Sequence, residues 1–515
     1  MTGLAANFPH ASLPHASRLL GPALLSASPA SSPTPFAAWP DAMQTSMVGA
    51  APRTYFLGTP GQDFLPEDDE RRDKPTSNPA WPGACADTTS HRIVIVGGGA
   101  GGLELAARLG DGVGRRGEAE VVLVDPMPTH LWKPLLHEVA AGTRSPHEQA
   151  LDYLQQARQH HFRFHPGRIE GLVRHRREIW LAPLVDEEGI EMAARRQLRY
   201  DTLVIAIGAT DDDFDTPGVR RHAISLNSVA DAEHFRSRLL SLCAGAAQRA
   251  PRPVQLVIVG GGATGVELAD ELTGAVEEIA SCGYLLRQAG EPVKIRMLEA
   301  TGRLLASLPA EAAERIHREL VRRGIDVRLN RRVAEVRPDS VLLANGEVVV
   351  ADLVVWTAGI RGPEVLASLG ALDTNERQQL LVRTTLQTFR DDNIFAIGDC
   401  ANCVSSEGET LAPPLARAAQ QQAKLLARSL ERRLAGKSLI PFRYREPGAL
   451  SPVRNEAPGG DAGGDRSGIG GLFARLSYWM LYRRHLTVLL GGMRTLLMTL
   501  GEWLPRRARP RMKLH

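Results

Sequence analysis

The stretch that decides the fold is HRIVIVGGGAGGLELAARL, residues 91–109. Its run IVIV predicts a buried strand, and the glycines after it predict a tight turn into a helix. Gly97, Gly99 and Gly102 have the spacing at which the amides of a helix N-terminus hold a pyrophosphate. The next apolar run, AEVVLVD, ends at Asp125, where a carboxylate would meet a ribose hydroxyl. Together these features predict a dinucleotide site.

The same pattern returns in VQLVIVGGGATGVELADEL, residues 254–272. Gly260, Gly262 and Gly265 again follow an apolar run, and the later run VKIRMLE ends at Glu299. The separation from glycines to acid exceeds the usual ~20 residues, because the intervening helix and loop are extended. A carboxylate at a strand end accepts a 2′-hydroxyl and repels a 2′-phosphate, so we expect the second site to prefer NADH over NADPH.

Composition limits the classes of function. A chain of 515 residues is too long for one core, which favours two or three domains. The formal charge of +3 is too small to indicate a nucleic-acid-binding protein. Five cysteines do not describe a secreted disulfide scaffold and favour a reducing compartment. His160, His161 and His165 lie close together without a matching carboxylate or cysteine cluster, so we predict no metal site.

The two ends of the chain differ from its middle. Residues 1–90 are rich in Pro, Ala and Ser without sustained periodicity, and we predict that they are disordered. Near the other end, Arg494 and Glu502 interrupt an apolar segment. Its uninterrupted apolar runs are therefore too short to span a membrane as a helix. On a helical period its apolar residues form one stripe, followed by a basic tail, which favours binding to an anionic membrane surface. The stripe consists of Leu486, Leu489, Leu490, Met493, Leu496, Leu497, Leu500 and Leu504. The alternatives are that it packs against the rest of the chain or forms a homodimer.

In three further segments, a predicted apolar strand is followed directly by a turn. YDTLVIAIGAT contains Gly208, ADLVVWTAGI contains Gly359, and NIFAIGDCA contains Gly398 and Asp399. With the two glycine motifs, the sequence resembles the flavoproteins that have two dinucleotide-binding domains. The resemblance implies FAD at the first motif, NADH at the second, and contact between Asp399 and the ribityl and phosphate region of the flavin.

That resemblance implies an α/β fold with two Rossmann-like domains, in which an inserted NADH domain splits the FAD domain. The predicted segments are residues 1–90, the disordered extension; 91–250 and 365–442, the two parts of the FAD domain; 251–364, the NADH domain; 443–471, a flexible linker; and 472–515, the amphipathic membrane-associating region.

A sharper resemblance comes from an ordered set of motifs: THLWKPLLHEVAAG, DDFDTPG, GGGATGVELADEL, TAGI, AIGDCANC and the terminal RPRMKLH. In this order they resemble the type II NADH:quinone dehydrogenases, which are single-subunit respiratory flavoproteins. The resemblance implies that hydride passes from NADH to FAD and that two electrons then pass to a membrane quinone, without proton pumping. It also implies a peripheral enzyme on the cytoplasmic side of the inner membrane.

The resemblance assigns roles to three residues. Glu267 follows the second glycine motif, and in the family this glutamate lies near the nicotinamide and the flavin ring; without the family it would be a partner of the helix dipole. The family marks its quinone pocket by an Ala-Gln pair and a second Gln. Here the matching stretch has Ala416 and Gln421, but Arg417 replaces the first Gln.

Other functions stay open at this point. The cysteines of AIGDCANC, Cys400 and Cys403, form a CxxC that we interpret as packing, since a bound FAD would already supply a redox centre. A soluble NADH reductase of a small electron-carrier protein would have much the same motifs. A non-catalytic NADH-sensing or scaffold protein would also keep both folds.

Overall fold

A computed structural model describes residues 90–146, 150–186, 188–249, 252–281, 293–405, 407–445 and 480–503. The predicted extension at residues 1–90 lies outside the described residues except for its last position. All but the first three residues of the predicted linker 443–471 lie outside them too, as do Leu504 and the basic tail.

The described strands are listed here in chain order: β1 His91–Val96, β2 Ala119–Asp125, β3 Thr129–His130, β4 Leu151–Asp152, β5 Arg163–Pro166, β6 Ile169–Val173, β7 Glu178–Leu181, β8 Leu184–Val185, β9 Glu191–Ala193, β10 Arg196–Arg199, β11 Thr202–Ile205, β12 Thr210–Asp211, β13 Ala223–Ser225, β14 Val254–Val259, β15 Val293–Leu298, β16 Asp326–Arg328, β17 Val333–Val336, β18 Ser340–Leu343, β19 Val348–Val350, β20 Leu353–Trp356, β21 Ile360–Arg361, β22 Leu380–Val382, β23 Ile394–Ala396 and β24 Ala401–Cys403.

The described α-helices are α1 Gly102–Leu109, α2 Leu136–Ala141, α3 Tyr153–Gln159, α4 Val219–His222, α5 Val229–Arg249, α6 Ala263–Ser281, α7 Ala310–Arg322 and α8 Ala416–Leu434. Two more follow near the C-terminus. We call residues 480–490 the docking helix and Gly492–Trp503 the terminal helix.

The first sheet has five parallel strands in the order β23-β11-β1-β2-β5. Its central strand, β1, is buried, because helices cover both faces of a parallel sheet. The carboxyl ends of β1, β11 and β23 meet at one edge, so the glycine loop after β1 lies beside the turns that leave the other two strands. This edge is where open parallel sheets bind ligands.

The second sheet repeats the plan with five parallel strands in the order β13-β20-β14-β15-β16. Strand β14 takes the place of β1, and β20 takes the place of β11. Each sheet also has a three-stranded antiparallel companion, formed by β6, β7 and β10 in the first unit and by β17, β18 and β19 in the second. The predicted pair of dinucleotide-binding folds is confirmed.

The chain crosses between the two units earlier than the predicted boundary at residue 250. Strand β13 pairs with β20 of the second sheet, and Phe235, Leu239 and Cys243 of α5 are buried in the core of that sheet. Residues from about Ala223 therefore belong with the second unit. The crossing itself is a two-stranded ribbon in which Thr210 pairs with Arg361.

The predicted C-terminal stripe is divided between two helices, because Gly491 adopts φ +81° and ends the docking helix. Leu486 and Leu489 of the docking helix are buried against the first unit, where Leu486 packs with Trp132. The terminal helix instead exposes its apolar side chains. One half of the stripe therefore packs against the rest of the chain, as the alternative interpretation expected, and the other half faces outward.

None of the helices in the described residues combines the length and the apolar composition that crossing a bilayer requires.

Candidate functional site

The first glycine loop is shaped by contacts that exclude side chains at its two ends. Gly97 adopts φ +105°, and a Cβ placed there would lie 2.3 Å from the carbonyl oxygen of Ala206. A Cβ on Gly102 would lie 1.8 Å from the carbonyl oxygen of Gly97, so helix α1 starts directly against β1. A Cβ on Gly99, between them, would meet nothing within 4 Å. The loop therefore packs tightly at both ends and is open in the middle, where a pyrophosphate would lie.

The second glycine loop has the same construction. Gly260 adopts φ +111°, and its Cβ would lie 2.9 Å from Cα of Ala358, on the turn after β20. A Cβ on Gly265 would lie 2.1 Å from the carbonyl oxygen of Gly260, while one on Gly262 would meet nothing within 4 Å. The sequence pattern predicted both loops, and the structure gives each of them a free space at the middle glycine.

The acids at the ends of β2 and after β15 hold the loops in place. One oxygen of Asp125 accepts the amide of Gly98 at 2.6 Å, and one oxygen of Glu299 accepts the amide of Gly261 at 2.7 Å. The other oxygen of Glu299 accepts the amide of Thr301 at 2.7 Å. Burial raises the pKa of Asp125, an effect that the bound backbone amides partly offset. Each carboxylate keeps lone pairs for a ribose hydroxyl.

The turn after β23 provides a further contact for the first site. The Gly398 amide donates to the side-chain oxygen of Gln422 at 2.7 Å, which fixes the orientation of the turn. Asp399 follows, and its Oδ1 is buried without a hydrogen-bond partner in the described part of the chain. Burial raises the pKa of Asp399, and the ammonium of Lys133 opposes that rise. An unpaired buried carboxylate oxygen beside an open glycine loop fits a hydroxyl group of FAD, which can donate a hydrogen bond to it.

Lys133 lies over the same region. Its Nζ donates to the carbonyl oxygen of Ala209 at 3.2 Å. Gly208, in the turn after β11, adopts φ +73°, and a Cβ placed on it would lie 3.8 Å from this Nζ. Gly359, its counterpart after β20, adopts φ +67°. In both turns the glycine therefore has a left-handed backbone conformation, which other residues rarely adopt.

Glu267 lies on α6, where α2 of the first unit packs against the second. Its Oε2 is 3.4 Å from Nδ1 of His137. Burial raises the pKa of Glu267 to about 7, and the neighbouring carboxylates of Glu138, Glu271 and Asp270 contribute to the rise. The side chain is 41% exposed, so it can exchange a proton with solvent. A carboxyl group with this pKa can hold or release a proton near neutral pH.

The residues predicted for the acceptor side lie on and beside α8. Gln421 is bound to the backbone of Arg445, with its Nε2 donating at 2.8 Å and its Oε1 accepting at 3.0 Å. The neighbouring Gln422, which sequence reasoning missed, is the one that contacts the Gly398 turn. Arg417 is half-buried on the first turn of α8. Ala416 packs beside Trp132 in the cluster that the docking helix covers.

The cysteines are packing residues in this structure. Cys400 and Cys403 are buried and free, and burial raises the pKa of Cys400 to about 12 and that of Cys403 to about 11. Thiols with such pKa values are not thiolates near neutral pH. Within the described residues no group of three or more metal-ligating side chains comes together.

Comparison with known proteins places this geometry in a family. The profile of the pyridine nucleotide-disulphide oxidoreductases matches residues 91–423. The type II NADH:quinone oxidoreductase of Haemophilus influenzae is 39% identical over 443 residues, which cover 82% of this chain and 99% of that protein. The chain belongs to the type II NADH:quinone oxidoreductases. The family suggested by the sequence motifs is thereby confirmed.

A further relative and a solved structure are also similar to this chain. A demethylphylloquinone reductase of Synechocystis is 29% identical over 423 residues, covering 80% of this chain and 97% of that protein. Among solved structures, Plasmodium falciparum NDH2 in complex with NADH has the same fold, with a TM-score of 0.67 at 18% identity over 82% of this chain and 100% of that chain. The predicted fold class and the need for FAD and NADH are confirmed.

Proposed function

We propose that this type II enzyme binds FAD at the first glycine loop and NADH at the second, and reduces a membrane quinone. The observation that carries the assignment is the pair of glycine loops, each open at its middle residue and each held by an acid. Among the described residues, an orphaned carboxylate oxygen lies beside the first loop, at Asp399, and none lies beside the second. For that reason FAD is assigned to the first loop and NADH to the second.

When bound, FAD accepts a hydride from NADH and passes two electrons to the quinone. The residues of the chain position the cofactors and control charge. Glu299 accepts hydrogen bonds from the ribose hydroxyls of NADH. Asp125 does the same for the ribose of FAD, and Asp399 contacts the ribityl and phosphate region of FAD. Lys133, beside Gly208, supplies positive charge close to Asp125 and Asp399.

Glu267 is proposed as the proton-holding group near the nicotinamide. Its pKa near neutrality, its contact with His137 and its place between the two units support this role. Because a carboxylate with this pKa alternates between neutral and charged forms, it can balance the charge that changes when hydride leaves NADH. Glu267 need not form a covalent bond in this scheme.

The acceptor side is proposed to lie around α8 and the docking helix. Ala416 contributes to the apolar cluster there, and Arg417 follows it in place of the glutamine that the family carries. Gln421 contributes indirectly, by holding the segment at Arg445. An apolar region bounded by polar side chains suits a quinone, which has an apolar ring and two carbonyl oxygens.

The terminal helix is proposed to bind the membrane surface, on the cytoplasmic side of the inner membrane. Its apolar side chains project into solvent, with Met493 71% and Leu497 60% exposed. Each such side chain contributes about 1.5–3 kcal/mol when fully buried in an apolar phase. Arg158 and Arg494 line a groove beside Leu490, where lipid phosphates could be bound. A homodimer that covers these side chains is the competing arrangement.

Steady-state assays of the purified holoenzyme test this function. We expect NADH oxidation with a short-chain quinone, and faster turnover with a long-chain quinone when phospholipid vesicles are present. Oxidation of NADH only with a ferredoxin-like electron carrier would favour the soluble reductase. No turnover with either acceptor, from protein that contains FAD, would contradict an enzymatic role.

A further inference from the structure

Two buried histidines connect the docking helix to the first glycine loop. His485 of the docking helix is 1% exposed, and its Nε2 lies 3.2 Å from Nε2 of His130. The other ring nitrogen of His130, Nδ1, lies 2.9 Å from the carbonyl oxygen of Gly98. A residue near the C-terminus thus reaches the loop assigned to FAD through one intermediate side chain.

The chemistry of these groups fixes the position of each hydrogen. A carbonyl oxygen only accepts, so Nδ1 of His130 carries a hydrogen and donates it to Gly98. Burial, together with the facing His485, lowers the pKa of His130 to about 3, against the opposing effect of the Gly98 carbonyl. His130 is therefore neutral, and its Nε2 has a lone pair. The hydrogen between the two rings must then come from His485.

The second nitrogen of His485 faces an acid. Its Nδ1 is 3.8 Å from Oε2 of Glu104, whose other oxygen is paired with Arg108 at 2.7 Å. Burial would raise the pKa of Glu104, but His485 and Arg108 lower it overall. At 3.8 Å this approach is longer than a hydrogen bond, so the contact of His485 that fixes a hydrogen is the one to Nε2 of His130. The ring also packs against Trp132, with the two ring centroids 4.5 Å apart and the ring planes tilted by 42°.

The Gly98 carbonyl controls the amide that follows it. In a planar trans peptide, the C=O of Gly98 and the N–H of Gly99 point in opposite directions. Tyr153 also donates to the Gly98 carbonyl, at 2.8 Å. Holding this carbonyl toward His130 and Tyr153 therefore turns the Gly99 N–H away from them.

We propose that His485, acting through His130, positions the Gly98–Gly99 peptide so that the Gly99 amide can bind the pyrophosphate of FAD. The docking helix is then part of the flavin site, and His485 is a positioning residue. This inference rests on the proposed assignment of FAD to the first glycine loop. By reciprocity, bound FAD tightens the docking helix in its place.

Titration of apo-protein with FAD, followed by flavin fluorescence, tests the inference. In His485→Leu the donor is lost, and the buried lone pair of His130 has no partner. We expect the Kd for FAD to rise about tenfold, as for leaving one buried hydrogen-bond acceptor without its donor. His485→Gln keeps an N–H donor and should recover most of the affinity. Tyr153→Phe, which changes no packing volume, should raise the Kd a few fold through the same carbonyl.

A matched control separates positioning from general loosening of the helix. His160 is also a buried histidine that contacts the docking helix, through the carbonyl oxygen of Leu489 at 2.8 Å, but it does not touch the glycine loop. His160→Leu should leave the Kd for FAD within about twofold of the wild type. Equal weakening by His160→Leu and His485→Leu would overturn the inference, as would an unchanged Kd in His485→Leu or in Tyr153→Phe.

One further variant tests the site assignment itself. Gly99→Val places a side chain in the open space of the loop and should abolish FAD binding. If Gly99→Val binds FAD normally, the proposed flavin site is wrong. If Gly99→Val loses FAD while His485→Leu keeps it, the flavin site stands and the role of His485 is refuted.

Discussion

At the residue scale, the middle glycine of each loop leaves free the space that a side chain would otherwise fill, and we propose that the ligand occupies this space. Gly99 and Gly262 have space around them, whereas Gly97, Gly102, Gly260 and Gly265 would each clash with backbone if they carried a Cβ. A substitution at a middle glycine should therefore block the ligand without disturbing the fold. Substitution at an end glycine should destabilise the fold instead.

We predict opposite phenotypes for Gly99→Val and Gly262→Val. The first should give a folded protein without FAD, and the second should give a yellow protein that binds NADH at least about tenfold more weakly, since a methyl group would occupy the phosphate position. Absorbance spectra and NADH titrations of both variants provide the measurement. A colourless Gly262→Val protein that retains NADH binding would reverse the assignment of the two loops.

Selectivity between NADH and NADPH should depend on Glu299. Glu299→Gln keeps one oxygen for the Gly261 amide and removes the charge that repels a 2′-phosphate. We expect kcat/KM for NADPH relative to NADH to rise about tenfold, which corresponds to roughly 1.4 kcal/mol of lost repulsion. An unchanged ratio would count against a ribose-binding role for Glu299.

Glu267 should give NADH-dependent flavin reduction a pH dependence. Its pKa is raised to about 7, so the side chain is neutral below that pH and charged above it. The charged form repels anionic NADH, so the KM for NADH should rise above about pH 7 in the wild type. In Glu267→Gln the KM for NADH should no longer rise above about pH 7. Stopped-flow reduction of both proteins across the range is the measurement, and identical profiles would refute the prediction.

The raised pKa of Glu267 also makes the stability of the folded protein depend on pH. The folded protein binds more protons than the unfolded chain between pH 4.5, the ordinary pKa of a glutamate side chain, and about pH 7, so stability falls as pH rises through that window. Glu267→Gln should therefore be more stable than the wild type above about pH 7 and nearly neutral in effect below the window. Thermal unfolding at both ends of the window checks this, and a destabilised variant at the higher pH would contradict it.

At the element scale, the C-terminal region has two separate tasks. The docking helix buries Leu486 and Leu489 and brings His485 into contact with His130, which in turn contacts the first glycine loop. The terminal helix, beyond Gly491, exposes its apolar side chains. The sequence pattern alone predicts one membrane-facing stripe, because Leu486 and Leu497 have the same helical phase. Only the contact with Trp132 tells the two halves apart.

Two truncations should separate these tasks. Removal of residues 492–515 should release the protein from membranes and lower activity with long-chain quinone, while FAD content and reduction of a soluble acceptor persist. Removal of residues 480–515 should in addition weaken FAD binding, since His485 is lost. Vesicle sedimentation and flavin quantification give the readouts. A shorter protein that stays on vesicles, or that merely changes from dimer to monomer, would assign the exposed side chains to another surface.

At the scale of the whole molecule, the local patterns were predictable and the long-range contacts were not. The glycines and acids of each loop occur within one strand-turn-helix unit, so their spacing is visible in the sequence. The pair formed by His130 and His485 joins residues 355 positions apart, and the choice of Gln422 over Gln421 at Gly398 depends on the phase of α8. The crossing near Ala223 was missed because a short strand in another sheet leaves little trace in the sequence.

In the proposed function the two units together make one electron path, in which the second sheet binds NADH and the first binds FAD. The ribbon of β12 and β21 joins them, and α2 carries His137 to Glu267 across their contact. The proposed acceptor region around α8 and the docking helix lies apart from the second glycine loop in the chain's two-sheet plan. In the proposed function, hydride comes from a soluble cofactor while the quinone stays in the lipid.

The most direct test of this account is an anaerobic stopped-flow experiment on the purified holoenzyme with two successive mixes. NADH is added first, and a short-chain quinone second, while the yellow absorbance of the flavin is followed. The account predicts that NADH bleaches the flavin and that quinone restores its colour, with one quinone reduced for each NADH oxidised. A flavin that NADH does not bleach, or one that stays bleached when quinone is added, would contradict it.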